Sequence, residues 1–213
     1  SGQRSRRAQR MEFLPGEADG RDQENLIIFD WDDTILPTSW LERVHALDAG
    51  GVAAARPEIQ RQLITLVTAC QQTLALAHTL GKVIIITNSA PGWVDQSCRL
   101  FMPQLGEQVN RLPIYAKPMH APITFKVGSF KRECKAYRNI VSVGDGDAER
   151  DASMRLQAPA ERKAAFQAGG RPGSGEAKVP AKVVKSVKLI ELPTCMQLIV
   201  QHEMLQERLP ACP

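Results

Sequence analysis

A chain of 213 residues, 43% hydrophobic and with a net charge of +4, is one domain's worth of sequence, enough for a full sheet with helices on both faces. Its five cysteines, Cys70, Cys98, Cys134, Cys195 and Cys212, are odd in number and lack paired or metal-type spacing, which speaks against a disulfide framework and predicts reduced thiols in an intracellular, cytoplasmic protein. No unbroken run reaches about 18 apolar residues, so no membrane span is predicted, and because the chain opens on Ser1 rather than Met, targeting is only partly legible.

In chain order, residues 1 to 24 read as a basic, flexible arm, with four arginines and no acid in the first ten. A near-continuous apolar run at 26–29 predicts a strand buried on both faces, and it leads into Ile27-Ile28-Phe29-Asp30-Trp31-Asp32-Asp33-Thr34-Ile35-Leu36. Beyond a short helical flap, residues 57–80 place Ile59, Leu63, Leu66, Val67, Leu74 and Leu80 near helical spacing and end at Gly81 as a cap. A second buried strand follows at 83–86, then a helix over 91–102 with Pro91 in its first turn and Trp93 and Val94 near its start. A strand near Pro113 to Tyr115 precedes a lysine-bearing region, and 140–143 is a third buried strand. Residues 157–180, dense in Ala, Gly, Pro and Lys, bury too little to offset their ordering entropy and are predicted to be a mobile insertion. Val187 to Ile190 reads as a last strand and Thr194 to Leu209 as a closing helix. The alternation predicts a doubly wound, Rossmann-like parallel sheet, with one domain formed by residues 25–156 and 181–209.

Charge is unevenly placed. Residues 157–188 carry seven Lys or Arg against two Glu, and with residues 1–10 and 157–188 set aside the rest of the chain is net acidic. A single aromatic, Phe166, lies in 157–188 and none in the first ten residues, so the basic segments read as solvated tails, and nucleic acid is not an expected partner.

Chemistry gathers at strand ends. Asp30 and Asp32 leave the first strand where an open α/β sheet binds its ligands. An aspartate there can attack phosphorus, splitting one displacement into two, while the second carries the proton. Lys82-Val83-Ile84-Ile85-Ile86-Thr87-Asn88-Ser89 ends the second strand with the Thr87 hydroxyl and the Asn88 backbone N–H, donors suited to phosphate oxygens. Val143-Gly144-Asp145-Gly146-Asp147-Ala148-Glu149 ends the third strand in an acidic turn whose glycines let carboxylates crowd together.

The order of these motifs closely resembles the haloacid dehalogenase superfamily, most of whose members are phosphohydrolases. The likeness covers residues 25–156, resumes at 183, and lies nearest a eukaryotic branch whose first motif reads Phe-Asp-Trp-Asp-Asp-Thr, which supplies no substrate. The resemblance implies Asp30 as nucleophile, Asp32 as general acid and base, and Thr87, Asn88 and a lysine on the phosphate. It implies Mg²⁺ as cofactor, held by Asp30, Asp145 and the Asp32 carbonyl, with Glu149 as supporting acid, a place that Asp147 or Asp151 can also fill. Of the candidate lysines, Lys126, Lys131 and Lys135 lie eighteen, thirteen and nine residues before Gly144, and the family's spacing favours Lys126.

Family members often carry a cap domain between the first and second motifs or between the second and third. Neither 35–86 nor 88–125 has room for one of full size, which predicts an open site and a large phosphorylated substrate such as a protein. Trp40, Trp93 and His120 are candidates for its mouth. Two other readings stand beside a phosphatase: a catalytically silent binding or scaffold protein, and a nucleic-acid-associated protein using the basic segments. The oligomeric state is not legible.

Overall fold

The computed structural model describes residues 24–47, 56–168 and 182–212, with backbone alone for 158–168. The predicted basic arm therefore lies outside the described residues except for Glu24. Five strands, β1 (Asn25–Phe29), β2 (Lys82–Thr87), β3 (Ile114–Ala116), β4 (Asn139–Gly144) and β5 (Val183–Lys188), form one sheet in the order β3-β2-β1-β4-β5. Every pairing is parallel. The chain is thus an α/β protein of Rossmann-like architecture, as the sequence predicts.

Parallel neighbours require crossovers, and helices supply them: α1 (Thr38–Arg43), α2 (Pro57–Leu80), α3 (Trp93–Phe101), α4 (Gly106–Val109), α5 (Phe125–Glu133), α6 (Asp147–Ala168) and α7 (Cys195–Arg208). The two-residue period of the strands sorts their side chains between two cores. Ile27, Phe29, Val83, Ile85, Val141 and Val143 pack with α2, α3 and α7 on one face. Leu26, Ile28, Ile84, Ile86 and Ile140 pack with Phe130, Cys134 and Ala152 of the α5–α6 side on the other. Burial on both faces is why the central strands read as unbroken apolar runs.

Several boundaries differ from expectation for physical reasons. β5 starts at Val183 rather than Val187, because this edge strand alternates as Val-Val-Lys-Ser-Val-Lys and its register is set by pairing with β4, Asn139 opposite Val183. α3 begins at Trp93, with Gly92 at φ 87° as its N-cap, so Pro91 stands outside the helix. α6 runs through Ala168, so the first part of the expected insertion has helical backbone, while 169–181 lies outside the described residues. α7 keeps its expected start, since Thr194 caps it through a reciprocal capping box with Gln197.

α2 is long and apolar enough, by length and a mean hydropathy of 1.3, to cross a membrane, which counting unbroken apolar residues misses. Ile59, Leu63, Leu66, Val67, Cys70 and Leu74 are buried in the protein's own core, where α2 packs along α7.

Gly81 ends α2, but in extended backbone rather than a left-handed cap. Glycine is needed there because a Cβ would sit 2.6 Å from both the Cβ and the carbonyl oxygen of Asn25. Gly81→Ala is expected to destabilise the fold by about 1–3 kcal/mol, the cost of overpacking against backbone that cannot yield; urea unfolding followed by circular dichroism measures it.

Candidate active site

The strand order reverses between β1 and β4, since the chain builds outward from β1 through β2 to β3 and then returns to β4 on the other side. At that switch point the helices that follow the two strands part, leaving a crevice beyond the carboxyl ends. Asp30 follows β1 there, its N–H donating to the Val143 carbonyl at 3.0 Å, while Thr87 ends the neighbouring β2 and Asp145 follows β4.

After β1 the chain folds back at once. The Trp31 carbonyl accepts from the N–H groups of Thr34, Ile35 and Leu36, and Asp33 takes a left-handed φ of 53° to close the turn. Trp31, between the two aspartates, points into the core and donates its indole N–H to Ser97 Oγ at 2.9 Å. Asp30 and Asp32 are thereby left to the crevice.

Asp30 Oδ1 accepts from the Trp31 N–H at 2.8 Å, and Oδ2 lies 2.8 Å from Lys126 Nζ. Lys126, only 2% exposed, also donates to Glu149 Oε1, so one buried cation spans two buried carboxylates. Lys131 and Lys135 are exposed on the surface. Among the acids left open by sequence, Glu149 is the one that meets the lysine. Asp147 pairs with Lys188 at 2.8 Å on the surface, and Asp151 is exposed. Gly144 makes the arrangement possible, because a Cβ there would stand 2.6 Å from Glu149 Cγ. Glu149 Oε2 is buried with no hydrogen-bond partner.

Asp32 sits in a ring of donors. Thr38 Oγ1 reaches Oδ1 at 2.5 Å, the Trp93 indole N–H reaches the same oxygen at 2.8 Å, and Ser89 Oγ donates to Oδ2. Three donors from three segments set the direction of this carboxylate. Asp33 accepts from both the backbone N–H and the hydroxyl of Ser39 at the start of α1. Thr87, almost wholly buried, accepts the Ser89 N–H at 3.1 Å, and Asn88 is exposed at the rim.

Sequence reasoning missed Thr38, Ser89 and the role of Trp93 as partners of Asp32. Ser89 belongs to the second motif, but nothing in the spacing of Thr38 or Trp93 announces the contact. Of the expected mouth residues, Trp40 is buried in the core, His120 is exposed, and Trp93 bonds Asp32 directly. His202 of α7 also enters from behind: its Nε2 faces the Thr34 carbonyl at 2.9 Å, and burial pushes its pKa down to about 4, so it holds the turn as a neutral ring.

Burial dominates the electrostatics, and crowded acids add to it. Burial raises the pKa of Asp30, with Lys126 working in the opposite direction and Asp32 adding to the rise. Asp145 is pushed up to about 6 by burial and by the charges of Asp30 and Asp33. Among the described residues no group of three or more His, Cys, Asp or Glu comes together as a metal cage.

Comparison with family models, with curated proteins and with solved structures gives no match in any of the three. The chemistry of the site therefore rests on its own geometry.

Two outcomes follow from these charges. Lys126→Met leaves Asp30 and Glu149 buried without a counter-charge and is expected to cost about 3–5 kcal/mol in urea unfolding. Asp145→Asn should raise the melting temperature at pH 7.5 by roughly 2–4 °C, about 1 kcal/mol. A carboxyl whose folded pKa is raised loses stability as pH rises from its unfolded value of 3.8 to its folded value of about 6, so the gain should shrink as pH falls below about 6 and approach zero toward pH 3.8. Melting curves at the two pH values check both the sign and the window.

Proposed function

We propose that the chain is a Mg²⁺-dependent phosphomonoester hydrolase of haloacid dehalogenase type, acting through a phosphoenzyme on Asp30. The observation that carries this reading is the 2.8 Å contact of Asp30 Oδ2 with the buried Lys126 at the switch point of the sheet. A carboxylate there has a cation to offset the charge of an approaching phosphate dianion, and Thr87 beside it offers a hydroxyl to the phosphate oxygens.

In this mechanism an Asp30 oxygen attacks phosphorus as the bond to the leaving oxygen breaks, and the Asp32 carboxyl gives its proton to that oxygen. Asp32, now a carboxylate, takes a proton from water; the water oxygen attacks the phosphoenzyme, and phosphate leaves with Asp30 restored. Thr38, Ser89 and Trp93 hold Asp32 in place through both half-reactions.

The donor set fits Mg²⁺. Asp30 and Asp145 repel one another and are pushed up in pKa, a strain that a cation relieves, and Mg²⁺ needs only one or two carboxylates because it keeps several waters. Asp30, Asp145 and the Asp32 carbonyl would hold it, with Lys126 and Glu149 behind. When bound, it supplies charge to the phosphate oxygens. Among the described residues the intervals after the first two motifs are taken up by α1, α2, α3, α4 and β3, elements of the sheet and its flanks, which supports an uncapped site and a large or protein substrate. Free cysteines, four of them buried, suit an intracellular setting.

One observation favours a second reading, a binding protein without turnover: no three metal-ligating side chains converge among the described residues. Mutants separate the two. Asp30→Asn should reduce Mg²⁺-dependent hydrolysis of a phosphomonoester by roughly 10⁴-fold or more, while Asp32→Asn should accumulate phosphoenzyme, seen as protein-bound radiolabelled phosphate after acid quench. Wild-type rates in Asp30→Asn would sink the assignment, and Mg²⁺ binding with no turnover of any ester would leave the binding protein.

A further inference from the structure

A cavity of about 530 Å³ opens over the β3 edge of the sheet, between the start of α3 and α5. Its walls are Pro91, Val94, Ile114, Pro118 and Phe125, with Tyr115 and Arg132 as a stacked pair whose guanidinium carbon lies 5.7 Å from the ring centroid. Several of its wall residues are chain neighbours of groups that hold the two aspartates. Gly92 and Val94 line it while Trp93 between them bonds Asp32. Phe125 lines it while Lys126, next in the chain, reaches Asp30. Lys117 N–H donates to the Ser89 carbonyl between Ala116 and Pro118 of the wall, and the Ser89 hydroxyl donates to Asp32.

We propose that this cavity is the leaving-group subsite and that it takes an aryl group, so that the substrate is an aromatic phosphomonoester of the phosphotyrosyl kind. The proposal rests on the phosphatase reading of Asp30 and Asp32. The cavity wall flanks Trp93, whose indole N–H bonds Asp32, the group assigned to protonate the leaving oxygen, and its volume falls in the usual range for small-molecule pockets, far more than a phosphate needs.

Lining chemistry selects among alcohols. A sugar carries a hydroxyl on nearly every carbon, and each one buried without a partner costs free energy. Val94, Ile114, Phe125 and the two prolines offer no side-chain hydrogen bonds, and of the three polar side chains in the lining, Asp95, Tyr115 and Arg132, the last is already paired with Glu133 at 2.7 Å. A planar ring instead meets apolar walls and the flat face of the Arg132–Tyr115 pair, where stacking and cation–π attraction both favour it. Met119 and Ile123, 88% and 91% exposed on the loop between β3 and α5, put further apolar surface beside the cavity for chain flanking such a ring.

The test uses the full chain with Mg²⁺ and two kinds of readout. In binding, naphthylmethylphosphonate should exceed methylphosphonate in affinity by roughly tenfold or more, and Ala116→Trp, which fills the cavity from the end of β3, should remove that preference. In turnover, Ala116→Trp should lower kcat/KM for 1-naphthyl phosphate by a similar roughly tenfold factor and leave acetyl phosphate within about twofold. Retained acetyl phosphate turnover shows that the variant folds, and Tyr115→Ala, which removes half of the stacked pair, should show the same selective loss by a gentler change. Equal affinity for the two phosphonates, or equal loss on both substrates in both variants, overturns the subsite. Acetyl phosphate turnover without aryl preference removes the subsite and keeps the phosphatase; aryl preference in binding without turnover of any ester keeps the subsite and removes the phosphatase. A phosphotyrosyl peptide run beside 1-naphthyl phosphate assigns the aryl group to a protein if the peptide is faster and to a small molecule if it is slower.

Discussion

Lys126 holds the site together. Its ammonium lies between Asp30 from the central strand and Glu149 from the first turn of α6, and its own helix, α5, packs against α6 on that face of the sheet. None of the three charges is solvated well enough to stand alone, since an isolated buried charge costs several kcal/mol. Each therefore requires the other two, and the strand order, the α5–α6 packing and the glycine at 144 are all conditions for their meeting. Carboxylates still outnumber the lysine. Burial, and after it the negative charges of Asp30 and Asp33, raises Asp145.

From the opposite face, the turn after β1 is pinned by neutral groups. Trp31 reaches Ser97 on α3, and His202 on α7 meets the Thr34 carbonyl while its Nδ1 lies 3.0 Å from Thr73 Oγ1 of α2. The carboxylates of Asp30 and Asp32 are thus aimed by contacts that do not themselves compete for phosphate or metal. Precision of this kind comes from rigid elements on both sides of a short loop, and it is what a proton-transfer group needs. The rim formed by Asn88, Pro91 and the 117–124 loop contrasts with this rigidity, its side chains being mostly exposed.

Much of the fold is legible in the chain because its core obeys short-range rules. Strands buried on both faces must be apolar throughout, and β1, β2 and β4 were readable for that reason. α2 and α7 announce themselves by periodicity and by the Thr194 cap. β5 is less legible because an edge strand alternates Lys and Ser with Val, so its limits come from pairing with β4 rather than from its own composition. The reach of α6 to Ala168 escaped for the opposite reason, a polar, alanine-rich stretch whose composition also suits a loop.

At the site the same division holds. Asp30, Asp32, Thr87 and Asp145 were visible from sequence alone, because each follows a recognisable apolar run and must emerge at its end. Tertiary structure decided the rest: that Lys126 and not Lys131 or Lys135 turns inward, that Glu149 and not Asp147 or Asp151 meets it, that Trp40 goes to the core, and that Thr38, Ser89 and Trp93 converge on Asp32. Strand ends are local properties of a chain, whereas the partner of a buried charge depends on which helix face is packed against which strand, and that is settled only when the whole sheet has formed.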